Sequence, residues 1–296
     1  MARAARSAQG LAIAAGPEHG QYLRFAQALA GNKGLRTVAL ITRGGDDNLR
    51  LLRDGKVTLA LAQADGALDA YQGKGNFAAE GAYPTLRAIG SLYPEPVHVL
   101  VRTDSQLATI GDLKGKRVAI GVQGSASRAT ALRVLDAHGV VLKDITPLEL
   151  PIGQALIALR QDKADAVIQI IGVPADSVRD ALAAIPLRLL PLSDKAVAAL
   201  VRAKAGYFAY TIPHGVYAAQ KEDIRTVATA AVLLVGSNLS DAEVATVTFY
   251  VYERGRDFAA RGSAQGMQVS AKQARQGLSI PQHVAAAKAI DAMVKK

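Results

Sequence analysis

Two apolar stretches decide the fold of this 296-residue chain: PVHVLVR at residues 96–102 and VATAAVLLVG at residues 227–236. Both stretches are rich in aliphatic and β-branched residues, which favour buried strands, and a polar turn follows each of them. We predict that they are the two crossing strands of a hinge. Residues 1–100 and 229–296 would then share one lobe, and residues 101–228 would form the other.

Strand-like and helix-like patterns alternate along the rest of the chain, usually with a glycine-containing loop between them. Such alternation predicts parallel sheets covered by crossover helices. The predicted fold class is therefore α/β, with two lobes and mainly parallel sheets. One helix, at residues 48–54, would be capped by Asp46 and Asp47. The predicted strands outside the hinge include residues 11–15, 37–42, 57–63, 85–91, 117–121, 166–171 and 187–191.

Composition and charge exclude several classes of protein. The formal net charge is +10, yet no run of five or six basic residues occurs, and aromatic residues make up only 5% of the chain. A nucleic-acid-binding arm and a base-stacking groove are therefore not expected. The chain has no cysteine, which excludes disulfides, thiolate catalysis and cysteine-based zinc sites. Its 5 histidines show no metal-ligand spacing, so no metal ion is expected.

The apolar runs of the chain are short. None approaches the roughly 18 residues that a membrane-spanning helix needs. The first run, at residues 11–15, is also too short for the core of a signal peptide and is predicted as a strand. If the protein is exported, we expect its leader to have been removed.

Four loops follow predicted strands and precede predicted helices, which is where open α/β sheets bind ligands. Two of these loops fall in each predicted lobe, an arrangement suited to a ligand held between lobes. The loop residues predicted to contact a ligand are Glu18, His19, Gln21 and Tyr22 in the first loop, Gly45 and Asp46 in the second, Ser125, Ala126, Ser127 and Arg128 in the third, and Gly172, Val173 and Pro174 in the fourth.

Four further side chains are candidates for ligand contact. Gln63 and Asp65 end a predicted strand, the position from which polar groups face a ligand, although they could instead only cap the next helix. Tyr93 and Tyr217 each offer an apolar face with a hydroxyl group. For a single tyrosine, partly buried packing is the alternative role.

The third loop is the strongest candidate for an anion site. Ser125 and Ser127 supply hydroxyl donors, and the start of the following helix supplies oriented N–H groups. Arg128 would pair with a carboxylate; the alternative is an ordinary helix cap beside a solvated arginine. The loop lacks the Gly-Lys-Ser/Thr ending of a phosphate-binding loop and a clear dinucleotide fingerprint, so no nucleotide or other cofactor is expected.

Glu18 and His19 stand side by side and invite an acid/base interpretation. No nucleophile and no third orienting group can be named from the spacing, and adjacent loop residues usually point apart. We therefore expect a binding protein rather than an enzyme. An enzyme that uses Glu18 and His19, and a ligand-sensing module that signals through a partner, remain open alternatives.

Six segments of the chain resemble a known family. The pattern YPEPVH within the third segment is the most specific, whereas DLKGK is shared by many type II binding proteins. Together the segments resemble the substrate-binding receptors of tripartite ATP-independent periplasmic (TRAP) transporters, in the type called TAXI. They are NLRLL (48–52), ALAQAD (60–65), LRAIGSLYPEPVHV (86–99), DLKGKRV (112–118), TIP (211–213) and GVY (215–217).

The resemblance implies a type II periplasmic-binding-protein fold and an extracytoplasmic, periplasmic location. It implies a small organic anion or amino acid as ligand, captured by lobe closure and delivered to the membrane permease subunits of a TRAP transporter. Family ligand contacts carry over to the first loop, to Gln63 and Asp65, to Tyr93, and to the third and fourth loops. We expect the receptor to be a monomer.

Two departures from the family pattern bear on the ligand. The first loop of the family is typically rich in glycine and threonine, whereas this chain carries Glu18, which would repel an anion or recruit a cationic group. Where the family usually has Ser-Gly-Thr, this chain has Ser125-Ala126-Ser127.

Overall fold

The computed structural model describes residues 10–18, 20–32, 34–218 and 220–295, without the side chain of Arg256. The chain divides into two compact units. The first unit extends to Tyr93 and resumes at Ala230, and the second unit spans Pro94–Thr229. The predicted α/β class with two lobes is confirmed. The lobe boundaries predicted after residues 100 and 228 fall within the two strands that carry the chain from one unit to the other.

In the first unit, three parallel strands lie side by side with a returning antiparallel strand. The order is β2-β1-β3-β10. The strands are β1 (Leu11–Gly16), β2 (Thr37–Ile41), β3 (Leu59–Gln63), the start of β4 (Arg87–Arg102) and the end of β10 (Ile224–Val235). The helices are α1 (Gln21–Ala30), α2 (Gly45–Arg53), α3 (Ala64–Gln72), α8 (Asp241–Glu253), α9 (Gly255–Ala260) and α10 (Val284–Val294).

In the second unit, β4 pairs with two antiparallel neighbours, β7 and β8. The parallel strand β5 lies between β6 and β7, and β9 pairs with β10. The strands are β5 (Arg117–Ala119), β6 (Thr146–Leu148), β7 (Ala166–Ile170), β8 (Leu187–Leu189) and β9 (Phe208–Ile212). The helices are α4 (Ala126–Ala137), α5 (Ile152–Arg160), α6 (Asp176–Ala184) and α7 (Asp194–Arg202).

Each unit has its own apolar core. Phe25 of α1 lies in the core of the first unit, with its ring edge against Phe258 at 5.0 Å between centroids. In the second unit, Val99 and Ile168 pair across β4 and β7 and lie in one buried cluster. The next pair, Leu100 and Val167, lies in another. Successive residues of a strand face opposite sides of the sheet, so helices cover both faces. Aliphatic runs such as residues 96–102 are long because both faces are buried.

Parallel pairing is confirmed for β1, β2 and β3, and for β5 with β7. Strand β5 also pairs parallel with β6, which was not predicted. The two long strands pair antiparallel with their neighbours, so the sheets are mixed rather than mainly parallel. No helix in the described part of the chain is both long and apolar enough to cross a membrane.

Two local predictions were wrong. The strands predicted at residues 85–91 and 96–102 belong to one continuous strand, β4 (Arg87–Arg102), because Pro94 and Pro96 permit extended backbone. Their missing N–H groups, two residues apart, lie on one edge of the strand and leave the other edge able to pair. Helix α2 begins at Gly45, because Gly44, with φ of 117°, makes the turn into it. Asp46 and Asp47 therefore lie in the first turn and do not cap the helix.

Candidate functional site

The predicted binding residues at the starts of three helices of the first unit lie at one edge of its sheet. Parallel strands β1, β2 and β3 end there, and α1, α2 and α3 begin there. Among the described residues, no side chain caps the start of any of these three helices. Backbone N–H groups at such starts carry partial positive charge and attract anions. Helix α1 follows Gly20 and has no acidic residue in its first turn, so it is the most favourable of the three for a carboxylate.

Asn48 holds this edge together. It is fully buried, and its Nδ2 donates hydrogen bonds to the carbonyl oxygens of Ala15 and of Leu61, the latter at 2.6 Å. Its Oδ1 accepts a hydrogen bond from Thr42 Oγ1 at 2.5 Å. One side chain therefore ties α2 to the ends of β1 and β3. Sequence reasoning placed Asn48 in the second loop without a role, although a polar residue within an apolar helical pattern was a usable signal.

Asp46, in the first turn of α2, is a buried carboxylate with 5% of its surface exposed. Its Oδ2 accepts a hydrogen bond from Asn76 Nδ2 at 2.7 Å, whereas its Oδ1 has no partner among the described residues. Burial raises the pKa of Asp46 to about 6, and the nearby carboxylates of Asp65 and Asp69 add to the rise against the opposing effects of Asn76 and Arg50. This carboxylate is poised to accept a further hydrogen bond.

Gln63 ends β3 and is also 5% exposed. Its Oε1 has no hydrogen-bond partner in the described part of the structure. Helix α2 approaches this strand end closely, because a Cβ added to Gly45 would lie 3.3 Å from Ala62 Cα. Asp65 is buried in the first turn of α3. The second predicted loop and the end of β3 therefore meet.

The remaining first-unit candidates lie in different surroundings. Glu18 is exposed, and Gln21 and Tyr22 are partly buried at the start of α1, where Tyr22 packs against the core. Tyr93 is 2% exposed, and its ring lies edge-on to Phe25 at 6.3 Å. His19 lies outside the described residues, so its predicted pairing with Glu18 stays a prediction.

In the second unit, Ser125 acts as the cap of α4. Its Oγ accepts a hydrogen bond from the Arg128 N–H at 3.2 Å and donates one to the Val122 carbonyl at 2.7 Å. Ala126 and Ser127 occupy the first turn of the helix. Ser125 therefore serves as a helix cap, which was the alternative role for this loop. Ser127 remains the candidate whose hydroxyl group could bind an anion.

Arg128 is already paired with a carboxylate of its own chain. Its Nε and Nη2 lie 3.0 Å and 2.9 Å from Glu149 Oε1. In this structure it is therefore not a solvated arginine, and a bound carboxylate would have to compete with Glu149. The partner was not predicted because Glu149 follows β6, a short strand that the apolar pattern did not reveal.

The fourth predicted loop follows β7 at the same edge, since β7 and β5 are parallel. It contains a cis peptide bond between Val173 and Pro174. The Tyr217 hydroxyl reaches this segment and accepts a hydrogen bond from the Ala175 N–H at 3.3 Å. Tyr217 is fully buried, and its ring packs in the core of the second unit; its contact with a ligand stays a prediction.

Clusters of three or more His, Cys, Asp or Glu side chains able to hold a metal ion are absent from the described residues. The two edges instead offer helix starts, buried amide and carboxylate oxygens, and hydroxyl groups. These are groups for holding a small polar molecule by hydrogen bonds.

The two units, each an α/β sheet with its polar loops at the carboxyl ends of parallel strands, define a two-lobed fold like that of periplasmic binding proteins. More specifically, the chain belongs to the NMT1-like family, whose model matches residues 13–290.

Three solved structures illustrate the similarity in fold. The periplasmic aliphatic sulphonate binding protein SsuA from Escherichia coli has a TM-score of 0.55 and 20% identity, over 96% of this chain and 82% of that one. The alkanesulfonate-binding protein SsuA from Xanthomonas axonopodis pv. citri, bound to MOPS, has a TM-score of 0.51 and 20% identity, over 97% and 91%. The GluR0 ligand-binding core from Nostoc punctiforme, in complex with L-glutamate, has a TM-score of 0.51 and 16% identity, over 86% and 98%.

Proposed function

We propose that the protein is an extracytoplasmic solute-binding receptor that captures a small carboxylate-bearing solute and delivers it to a membrane permease. Membership of the NMT1-like family and the fold shared with periplasmic binding proteins support the general role. Capture by closure of the lobes is taken from the sequence and stays a prediction. In that scheme the solute stabilises the closed form because the closed form offers contacts that the open form lacks.

The observation that carries the proposal is that two buried oxygens, Asp46 Oδ1 and Gln63 Oε1, have no hydrogen-bond partner among the described residues. A buried polar atom that lacks a hydrogen bond costs free energy, on the order of 1–3 kcal/mol. Such atoms are rare in structural cores and require an explanation. Because these two stand where α2 meets the end of β3, we infer that a donor group of the solute pairs with them.

The same edges suit a carboxylate. The start of α1, which no described side chain caps, and the first turn of α4 with Ser127 present N–H and hydroxyl donors. A solute with both an amine and a carboxylate satisfies the two kinds of group at once. We therefore place amino acids ahead of simple dicarboxylates.

For the transporter class, we propose a TRAP system of the TAXI type, on the six sequence segments that resemble those receptors. The second candidate is a receptor for aliphatic sulfonates, favoured by the two SsuA structures and by the general affinity of helix starts for oxyanions. A gene for a fused TRAP permease beside the gene for this protein would support the first candidate.

A thermal-shift screen tests the proposal. The protein is unfolded, dialysed and refolded to remove any retained solute, then mixed with L-amino acids, dicarboxylates and aliphatic sulfonates. We expect an amino acid to raise the melting temperature, because a solute at 100 times its dissociation constant adds about 2.7 kcal/mol of stability. A shift with sulfonates alone would favour the second candidate, and no shift with any compound would contradict both.

The enzyme alternative has its own test. The compound that shifts the melting temperature is incubated with the protein and analysed by NMR for chemical change. We expect the solute to be recovered intact. A product whose formation is abolished by His19→Ala would overturn the proposal in favour of catalysis by Glu18 and His19.

Ser127→Ala is expected to weaken binding of a carboxylate solute by about 1–3 kcal/mol, the value of a charge-assisted hydrogen bond. The measurement is isothermal titration calorimetry with the best compound of the screen. Ser125→Ala is the matched control, because loss of the cap should lower stability by about 1 kcal/mol. If Ser127→Ala leaves the affinity unchanged, the third loop is only a helix start.

A further inference from the structure

A buried chain of hydrogen bonds links three separate segments of the second unit. His98 of β4 is fully buried, with Nδ1 3.0 Å from the Pro96 carbonyl oxygen and Nε2 2.9 Å from the Tyr217 hydroxyl. The Tyr217 oxygen in turn lies 3.3 Å from the Ala175 nitrogen. The contact between His98 and Tyr217 is not predictable from spacing, since the two residues are 119 residues apart.

The chemistry of these groups determines which atom donates and which accepts in each of these hydrogen bonds. The Pro96 carbonyl can only accept, so His98 carries its proton on Nδ1 and leaves Nε2 as an acceptor. The Tyr217 hydroxyl therefore donates to Nε2, and its oxygen accepts from the Ala175 N–H. Burial lowers the pKa of His98 to about 4, which keeps the ring neutral and this direction intact near neutral pH.

The last hydrogen bond of this series ends at Ala175, beside the loop predicted to contact the solute. Ala175 immediately follows the Gly172–Pro174 loop and immediately precedes α6, where it occupies the N-cap position without a side chain able to cap. Ala175 and Val173 are both buried in the same cluster as Tyr217. The backbone of His98 also pairs with Gln169 of β7, the strand that leads into the loop. His98 therefore acts on both ends of the loop: its backbone pairs with the strand that leads into the loop, and its ring bonds to the Tyr217 hydroxyl, which binds the residue after the loop.

We propose that His98 and Tyr217 are positioning residues that hold the Gly172–Pro174 loop in the conformation required for solute binding. The inference rests on the proposed function, in which this loop contacts the solute. In this role Tyr217 acts on the solute through Ala175 and the loop, not by direct contact. Its hydroxyl is the only part of the side chain that the role requires.

Tyr217→Phe tests the proposal, because it removes the hydroxyl and keeps the packed ring. Tyr252→Phe is the matched control: Tyr252 is a buried tyrosine of the first unit whose hydroxyl donates to the Ser91 carbonyl at 2.8 Å. Hydrogen exchange, followed by mass spectrometry on peptides covering residues 171–184, reports on the loop without any solute. Calorimetry then measures the affinity for the L-amino acid with the largest thermal shift, with L-glutamate as the first probe.

We expect Tyr217→Phe to accelerate exchange at Ala175 and to weaken the amino acid by about fivefold to tenfold, the effect of one buried hydrogen bond. Tyr252→Phe should change neither quantity, even where the two variants lose similar thermal stability. Unchanged exchange in the loop would overturn the proposal, and so would faster exchange with unchanged affinity.

Two further measurements complete the test. In wild-type protein, ¹⁵N NMR of the histidine rings should show His98 protonated on Nδ1 alone; protonation on Nε2 would reverse the chain and overturn the proposal. Binding of the probes to wild-type protein is measured first. If no compound of the screen binds, the proposed function fails and the inference falls with it, whereas binding without the loop effects overturns the inference alone.

Discussion

Asp46→Asn is expected to stabilise the protein at about pH 8 by roughly 1–3 kcal/mol and to have little effect near pH 4. The reason is the buried carboxylate, whose pKa is raised to about 6 chiefly by desolvation. The folded state therefore favours the neutral form of this side chain. Asparagine is neutral at every pH and keeps an oxygen that can accept the hydrogen bond from Asn76.

The sign of the pH dependence follows from the raised pKa. An aspartate whose folded pKa lies above its unfolded value imposes no cost at a pH below both values. The cost grows as the pH rises between them and is complete above about pH 6. Chemical denaturation of wild type and Asp46→Asn from about pH 4 to pH 8 should therefore show two stability curves that diverge as the pH increases.

Asp47→Asn is the control for this experiment, because the neighbouring carboxylate behaves in the opposite way. Asp47 bonds to Arg43 at 3.0 Å, and this hydrogen bond lowers its pKa. Its replacement should slightly destabilise the protein near neutral pH. Parallel curves for wild type and Asp46→Asn would show that Asp46 is not held in a desolvated environment and would weaken the case for a donor group beside it.

Asn48→Ala is expected to destabilise the first unit by about 2–4 kcal/mol, the range for loss of a buried hydrogen-bond network. The substitution leaves the carbonyl oxygens of Ala15 and Leu61 without the amide donor that both share, and it leaves Thr42 Oγ1 without its acceptor. Because these groups lie where β1, β3 and α2 meet, we expect solute affinity to fall as well.

Thr58→Val is the comparison for Asn48→Ala. Thr58 is a largely buried residue just before β3, and its Oγ1 donates to the Ala12 carbonyl at 2.9 Å, at the opposite end of the strand. This variant should lose about 1 kcal/mol of stability and keep its affinity. Equal loss of affinity in the two variants, measured by calorimetry at a temperature where both are folded, would show that the binding edge is not at the carboxyl ends of the strands.

Much of the fold could be predicted because it depends on local patterns. The aliphatic runs at residues 96–102 and 227–236 marked the two long strands, and the alternation of strands and helices marked the α/β class. The break predicted before residue 96 was wrong because proline removes an N–H group but still permits extended backbone. Strands β6 and β9 were missed because they are short or largely exposed and lack an aliphatic run.

The candidate site was predictable only in part, for a physical reason. Loops at the carboxyl ends of parallel strands can be located from the order of elements, and Asp46 and Gln63 were chosen as candidates in that way. Partners that come from distant segments cannot. Glu149 beside Arg128 and Tyr217 beside His98 are set by packing in three dimensions, which leaves no periodic trace in the sequence.

The central claim is that the chain binds a small carboxylate-bearing solute and releases it unchanged. The most direct measurement is calorimetric titration of refolded, solute-free protein with the best compound of the screen, followed by NMR analysis of the recovered compound. The account predicts saturable binding at one site per chain, weakened by Ser127→Ala, with the compound recovered intact. Absence of binding by every carboxylate tested, or conversion of the compound to a product, would contradict it.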